Sequence, residues 1–176
     1  DLLGQLGHVG EAVLNGLLVV AGNEKVQGYV RRSATHALGR LGRADEVVLN
    51  GLLVLAEDEK VQEYVRRDAV QALGQLGRVD EAALSRLLAL AKDEKLQGYV
   101  RSDAAQAVGQ LGRADEAGRL LLVLAGDEKV DATVRLTVAH ALGRLGLGDE
   151  AGSLLLSIAE DEKVDATMRI DAAQAL

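Results

Sequence analysis

The stretch RRDAVQALGQLGRVDEAALSRLLALAKDEKLQGYV, residues 66–100, decides the fold, because the chain repeats it along nearly its whole length. Residues 31–65 align with it without a gap, and residues 101–134 and 135–168 are two further copies, each one residue shorter. A sequence period of about 20–50 residues is typical of solenoids and propellers, in which each copy packs on its neighbours. The sequence therefore predicts a repeat array.

Each copy has the apolar spacing of two helices. Ala69, Ala72, Leu73 and Leu76 recur at steps of three and four and predict one helix, named the arginine helix after the arginine that opens each copy. A second such stripe predicts the leucine helix, with Leu84, Leu87, Leu88 and Ala91. In the two shorter copies we expect the missing residue to fall in the first turn of the leucine helix. Leu121 and Leu122 then match Leu52 and Leu53.

Turn residues separate these helices at fixed places in each copy. One aligned glycine is expected to end each arginine helix in a left-handed conformation: Gly42, Gly77, Gly112 and Gly146. Asp80, Asp131 and Asp165 are predicted to cap the helices that follow them. Asp-Glu-Lys turns close the copies at Asp58, Asp93, Asp127 and Asp161. A second set of glycines, within the arginine helices, is expected to permit close helix packing: Gly39, Gly74, Gly109 and Gly143.

The predicted fold class is all-α, an α-solenoid of about five two-helix repeats with truncated ends. We expect one array over residues 1–176, with a partial repeat at 1–30, complete repeats at 31–65, 66–100, 101–134 and 135–168, and a partial repeat at 169–176. Terminal repeats normally carry a polar outer face that shields the stack. Because neither end has one, we expect a window from a longer array and possible end-to-end self-association.

The motif Val65-Arg66…Ala69…Ala72-Leu73-Gly74-Gln75-Leu76-Gly77 resembles the bacterial HEAT-like repeats, including those of phycobilin lyases. The resemblance covers essentially the whole chain and implies the solenoid fold. It also implies the kind of array that multidomain bacterial NTPases carry. Fold alone does not imply function, because such repeats occur in scaffolds, lyases and sensor modules.

Composition excludes several function classes. The formal charge of −7 disfavours a nucleic-acid partner, because phosphate neutralisation needs an excess of Lys and Arg. No apolar run reaches the roughly 20 residues that cross a bilayer, so we expect no membrane partner. The absence of cysteine agrees with a cytoplasmic location.

No motif for catalysis, a metal or a cofactor emerges. HEAT-like metalloenzymes such as deoxyhypusine hydroxylase use His-Glu dipeptides, whereas valine or alanine follows His8, His36 and His140 here. The recurring Asp-Glu pairs, such as Asp45-Glu46 and Asp115-Glu116, are adjacent on a helix and do not face each other, so helix capping explains them better than acid–base chemistry. We therefore predict a protein that is not an enzyme.

One arginine opens each copy and forms a predicted structural ladder: Arg31, Arg66, Arg101, Arg135 and Arg169. In HEAT-like proteins such an arginine pairs with carboxylates between repeats, and Asp68, Asp103 and Asp171 are local candidates. The alternative is a phosphate-binding row, helped by Arg43, Arg78 and Arg113 in the turns. The surrounding acidic residues would weaken the attraction of that row for phosphate.

The leucine helices are expected to line the concave face, which is the usual binding surface. With Leu52, Leu53 and Ala56 turned inward, the opposite side gives the predicted partner-binding residues: Asn15, Asn50, Val54, Ser85, Arg86, Ala89, Arg119, Val123 and Ser153. One position of this row changes in identity along the chain while the rest repeats: Asn15, Asn50, Ser85, Arg119 and Ser153. This weakly polar row suits a protein or peptide segment. The leading function is thus a protein-interaction scaffold, a regulatory or sensor region of a larger bacterial protein. The alternative is a lyase-type protein that handles a bilin.

Overall fold

The computed structural model describes residues 10–42, 46–77, 79–112, 114–127 and 129–176. Predictions that rest on His8, Arg43, Asp45, Arg78, Arg113 or the first nine residues lie outside these ranges. Within them the chain forms ten α-helices and no strand: α1 (Glu11–Gly22), α2 (Gly28–Arg40), α3 (Glu46–Glu57), α4 (Glu63–Gly74), α5 (Glu81–Lys92), α6 (Gly98–Leu111), α7 (Ala114–Ala125), α8 (Ala132–Arg144), α9 (Gly148–Glu160) and α10 (Ala166–Gln174). The even-numbered helices are the predicted arginine helices and the odd-numbered ones the leucine helices. The predicted all-α fold of helix pairs is confirmed.

The chain divides into two compact units, Asp1–Ala83 and Leu84–Leu176, with the boundary inside α5. In the first unit α1 packs against α2 and α3, and α4 packs against both α2 and α3. In the second unit α8 is central, because it contacts α6, α7, α9 and α10. In both units arginine helices of successive repeats therefore pack on each other and on the leucine helices. That all repeats form one continuous array stays a prediction.

The predicted apolar stripes form the cores of these units. In α4 the side chains of Val65, Ala69, Ala72 and Leu73 are fully buried. In α3 the same holds for Leu52 and Ala56. Burial of Leu and Val side chains stabilises by roughly 1.5–3 kcal/mol each, so these stripes hold the repeats together.

The Asp-Glu-Lys turns have the same geometry in every repeat. The carboxylates of Asp58, Asp93, Asp127 and Asp161 each accept a hydrogen bond from the backbone N–H two residues later, at 2.9–3.1 Å. Asn23 does the same with the N–H of Lys25 at 2.9 Å. A short polar side chain that binds its own backbone favours a turn over helix continuation. The predicted turns are confirmed, and each separates a leucine helix from the next arginine helix.

Three of the four glycines predicted to end arginine helices are left-handed. Gly42, Gly77 and Gly146 have φ angles of 62°, 82° and 84°. Gly112 was predicted to behave alike, which is wrong, because its backbone is extended (φ −75°, ψ 157°). A Cβ on Gly112 would lie 2.6 Å from the Cβ of Ala117. This glycine therefore serves a close approach of α6 to α7 and not a left-handed turn.

The predicted N-caps are present, but the residue missing from the shorter copies falls elsewhere than expected. Asp80 accepts the N–H of Ala83 at 2.8 Å, and Asp131 accepts that of Val134 at 3.0 Å. The leucine helices α5 and α7 both have 12 residues. However, six residues separate the end of α4 at Gly74 from the start of α5 at Glu81, whereas two separate the end of α6 at Leu111 from the start of α7 at Ala114. The turn between the helices, and not the first turn of the leucine helix, is therefore shortened.

Candidate functional site

The predicted partner-binding residues lie on the solvent side of the leucine helices. Leu52 and Ala56, on the opposite side of α3, are fully buried. Arg86 is partly buried, and the other members of the row are exposed: Asn15, Asn50, Val54, Ser85, Ala89, Arg119, Val123 and Ser153. The structure thus gives them a common orientation on their helices. Their role in binding stays a prediction.

In the first unit this surface is closely packed. A Cβ on Gly51 of α3 would lie 2.5 Å from the Leu18 side chain of α1. The two leucine helices therefore meet closely at Gly51. Val19 and Val54 remain exposed to 67% and 57% on their outer sides.

In the second unit the same side exposes two leucines, one of which, Leu122, the sequence alignment matched with the inward-facing Leu53. Leu122 on α7 is 40% exposed and Leu156 on α9 is 48% exposed, whereas the aligned Leu53 is 1% exposed. The expectation that Leu122 matches Leu53 in its surroundings is therefore wrong. The sequence of the helix gave no signal of this difference, because α3 contains the same apolar run, residues 52–56, and covers Leu53 there.

Polar groups near these leucines are bound to their own helices. Ser153 Oγ donates to the carbonyl oxygen of Asp149 at 2.8 Å, and Ser157 Oγ donates to that of Leu154 at 2.7 Å. Arg119 Nε donates to the carbonyl oxygen of Asp115 at 3.4 Å. These bonds fix the side chains on the helical surface, and none of them activates a serine hydroxyl as a nucleophile.

The ladder arginines bind the ends of the leucine helices. Nε of Arg31, Arg66 and Arg169 donates to a carbonyl oxygen ten residues earlier, in Ala21, Ala56 and Ala159, at 2.8–2.9 Å. The last carbonyls of a helix lack intrahelical partners and carry partial negative charge, so a guanidinium stabilises them. Arg31 and Arg66 are also buried, which keeps their guanidinium groups from a surface phosphate.

Other ladder bonds reach the start of the next arginine helix. Arg31 Nη1 donates to Gln62 Oε1 at 3.2 Å, and Arg101 forms an ion pair with Asp131. Gln62 and Asp131 are the residues just before α4 and α8, so both bonds hold the start of the following arginine helix. Arg135 Nη2 donates instead to Ser157 Oγ, at 2.8 Å. The buried Nε atoms of Arg101 and Arg135 have no hydrogen-bond partner among the described residues.

Asp68, a candidate partner of the ladder, contacts two other side chains. It is 2% exposed and lies 3.3 Å from Arg32 Nε and 3.6 Å from His36 Nε2, both on α2. This cluster, with its ion pair between Arg32 and Asp68, links α2 to α4. His140, at the repeat position of His36, is exposed. No group of three or more His, Cys, Asp or Glu side chains in the described ranges is arranged for a metal ion.

Two carboxyl groups of the second unit have perturbed acidity. A hydrogen bond from Lys92, whose Nζ is 2.9 Å away, holds the pKa of Asp127 below its usual value. The N–H and side chain of Thr167 lower the pKa of Asp165, which caps α10. Both shifts follow from stabilisation of the charged form by hydrogen bonds. They belong to a turn and a helix cap.

The described part of the chain contains no helix with the length and apolar character needed to cross a bilayer.

Comparisons with known proteins agree with this architecture. The chain aligns over 99% of its length with human deoxyhypusine hydroxylase in complex with glycerol, at 18% identity and a TM-score of 0.66. It spans 65% of that hydroxylase chain. With the complex of CpcE and CpcF of phycocyanin lyase from Nostoc sp. PCC7120, the identity is 22% and the TM-score 0.64, over 94% of this chain and 99% of that one. At these identities the likeness shows the fold alone.

The comparison with sequence models of protein families is more specific than the structural comparison. No curated protein sequence matches the chain. The model of HEAT repeats matches residues 23–109 and 96–176, which together include most of the chain and both units. The predicted resemblance to HEAT-like repeats is confirmed, and the chain belongs to the HEAT-repeat family.

Proposed function

We propose that the chain is a protein-interaction scaffold without catalytic chemistry of its own, a regulatory or sensor segment of a larger bacterial protein. The partner is a protein or peptide segment held on the outer side of the leucine helices. The observation that carries this proposal is the exposure of the residues whose identity changes from repeat to repeat. Asn50, Ser85 and Arg119 occupy equivalent places and differ in chemistry, while the buried side of the same helices repeats.

Rigidity of the underlying repeats supports a binding role. Each described leucine helix is followed by a side-chain-capped turn, and three of these helices receive a ladder arginine at their last carbonyls. Side chains on a preformed surface lose less freedom on binding than those on a mobile loop. The structure therefore suits a partner that docks without reorganising the repeats.

Affinity selection of peptides tests the proposal. Peptides selected on the folded chain are measured by fluorescence anisotropy against the chain and against a variant with Asn50→Ala, Ser85→Ala, Arg86→Ala and Arg119→Ala. We expect the variant to lose about tenfold or more in affinity, because removal of central interface side chains commonly costs more than 1 kcal/mol each. Its circular dichroism should remain helical.

A matched control replaces Gln106 and His140 by alanine, since both are exposed on arginine helices. That control should bind like the original chain. Equal binding by the original chain and the four-alanine variant would contradict the assignment of the row.

The alternative function is a lyase-type HEAT protein that handles a bilin. The fold likeness to the phycocyanin lyase complex keeps this alternative open. A bilin site needs a concave pocket with converging polar groups. A chromophore-transfer assay with a bilin and an acceptor protein decides between the two functions, because turnover would favour the lyase.

A further inference from the structure

Two leucine helices of the first unit meet through a leucine of one and a glycine of the other. Helix α1 packs against α3, and a Cβ on Gly51 of α3 would lie 3.0 Å from Leu18 Cγ of α1. The missing side chain of the glycine leaves the room that the leucine fills. We call this arrangement, a leucine against the glycine of the following leucine helix, the leucine–glycine contact.

Helix α1 carries the two halves of such a contact on opposite sides. Residues two apart on a helix point about 200° away from each other, so Gly16 faces away from the side on which Leu18 meets α3. Gly16 holds the repeat position of Gly51. It is exposed, and a Cβ on it would meet no atom of the described chain within 4 Å. Helix α1 therefore presents an uncovered glycine of the kind that Leu18 covers on α3.

The matching leucine is exposed on α9, the last leucine helix that the structure describes. Leu156 holds the repeat position of Leu18 and is 48% exposed. An apolar side chain of this size gains about 25 cal/mol for each Å² that another surface covers. The chain thus displays an exposed leucine and an uncovered glycine, which are the two halves of one leucine–glycine contact.

The second unit shows what happens where the glycine is replaced. Leu122 of α7 also holds the repeat position of Leu18, but the following leucine helix, α9, has Leu154 where α3 has Gly51. The described residues of α7 and α9 do not pack against each other as α1 and α3 do, and Leu122 is 40% exposed. Within this chain the glycine therefore accompanies the close approach of two leucine helices.

Charge does not decide this contact. Helices α1 and α3 both begin with a glutamate, Glu11 and Glu46, and still pack against each other. Two carboxylates likewise begin α9, whereas next to Leu156 the cation Arg135 binds Ser157 Oγ at 2.8 Å. The contact depends on shape and on the removal of apolar area from water.

We propose that the chain associates head to tail, with Leu156 of one copy packed against Gly16 of the next. The pair repeats between copies the contact that Leu18 makes with Gly51 within the chain, and it gives the expected end-to-end self-association a defined site. Because the leucine and the glycine lie on different helices, the interface is heterologous and produces open chains or rings. The inference goes beyond the proposed function, since its partner is a second copy and its residues are outside the predicted partner-binding row.

Disulfide cross-linking tests the contact directly, because the chain has no cysteine of its own. One chain carries Gly16→Cys, a second carries Leu156→Cys, and the two are mixed under mild oxidation. A disulfide needs Cβ atoms about 3.5–4.5 Å apart, so it forms readily only where the two positions meet. The mixed dimer should form at least about tenfold faster than with Leu122→Cys in place of Leu156→Cys. Leu122 is the matched control, an exposed leucine at the same repeat position.

A chain with both Leu18→Cys and Gly51→Cys is the positive control. These two positions meet within the first unit, so this chain should form an intramolecular disulfide. Gly16→Cys adds a side chain where a Cβ meets no described atom within 4 Å, and it should leave the fold intact. Circular dichroism verifies that each variant is folded.

Sedimentation velocity over a range of protein concentrations measures the association without a cross-link. Gly16→Leu gives α1 the residue type that α9 has at Leu154, and it should weaken association about tenfold or more. Leu156→Ser should weaken it to a similar degree. Leu122→Ser should leave it unchanged.

The possible results decide clearly. Equal cross-linking with Leu156→Cys and Leu122→Cys, or none with either while the positive control forms, would overturn the inference. So would a chain that stays monomeric at every concentration, or association that survives Gly16→Leu. Faster cross-linking of Gly16→Cys chains with each other would show symmetric pairing and also overturn it. The four-alanine variant of the scaffold test changes neither Gly16 nor Leu156, so the two proposals can fail separately.

Discussion

The leucine helix of the first unit, α3, and that of the second, α7, bear the same leucine pair and use it differently. Leu52 and Leu121 are both fully buried. The next residue is 1% exposed in α3, as Leu53, and 40% exposed in α7, as Leu122. The turn before α7 is shorter, because α6 ends at Leu111 and α7 begins at Ala114. Equal position in a repeat therefore does not guarantee equal surroundings, since neighbouring helices decide what covers a side chain.

Alanine substitution of this leucine should give the largest difference in stability between the two helices. Leu53→Ala removes a buried side chain and leaves a cavity, which should lower the free energy of unfolding by about 2–5 kcal/mol. Leu122→Ala removes a side chain that is partly in water, and we expect a loss below about 1 kcal/mol. Urea unfolding followed by circular dichroism measures both. Equal losses would mean that Leu122 is covered in solution.

Two aligned glycines of the arginine helices, Gly39 and Gly143, have opposite surroundings, one crowded and one not. A Cβ on Gly39 would lie 2.8 Å from the Ala72 Cα of α4, whereas one on Gly143 would meet no atom closer than Ala151 Cβ at 4.0 Å. The expected close packing is confirmed at Gly39 and at Gly109, where Ala141 Cβ would be 2.9 Å away, and is wrong at Gly143.

Alanine at these two positions should therefore act in opposite directions. Gly39→Ala forces the α4 backbone to shift, and we expect it to destabilise by about 1–3 kcal/mol. Gly143→Ala makes only an ordinary van der Waals contact and should stabilise by up to about 1 kcal/mol, because alanine favours a helix over glycine. Thermal unfolding of both variants verifies the signs. A stabilised Gly39→Ala would contradict the close contact of α2 and α4.

The turn residues Asn23 and Asp127 differ in a way that pH should reveal. Both accept a backbone N–H, but only Asp127 titrates, and Lys92 holds its pKa below the usual 3.8. A carboxyl group whose pKa is lowered by folding stabilises the fold above its unfolded pKa. That stabilisation is lost as the pH falls through the folded value. Asp165 behaves in the same way, through its hydrogen bonds with Thr167.

Asp127→Asn together with Asp165→Asn should therefore reduce the fall in melting temperature between pH 6 and pH 2.5. The effect should be small, because both groups are at the surface. Asn23→Ala is the control, since it weakens a turn of the same kind and should lower the melting temperature equally at each pH. An unchanged acid dependence in the double variant would show that other carboxyl groups dominate it.

Much of the fold is local in origin, and the sequence predicted that part well. Asp80, Asp131 and the turn aspartates bind backbone groups two or three residues away, so their roles follow from residue type and spacing. The helices follow from apolar spacing within each copy. For the same reason the exposed side of the leucine helices could be predicted from one helical stripe.

The remaining features depend on contacts between different helices. The alignment could not tell that Leu122 faces water, that Gly112 approaches Ala117 in place of a left-handed turn, or that Arg101 pairs with Asp131. Nor could the recurrence of the ladder arginines tell that Arg31, Arg66 and Arg169 bind a carbonyl ten residues earlier.

The sequence by itself thus determined the repeats, their helices and their turns, because hydrogen bonds and apolar periodicity within one copy are enough to define them. Only the tertiary structure decided which leucines are covered, which glycines are crowded and what the ladder arginines hold. Those outcomes depend on how closely neighbouring helices approach, which apolar spacing within one copy does not specify.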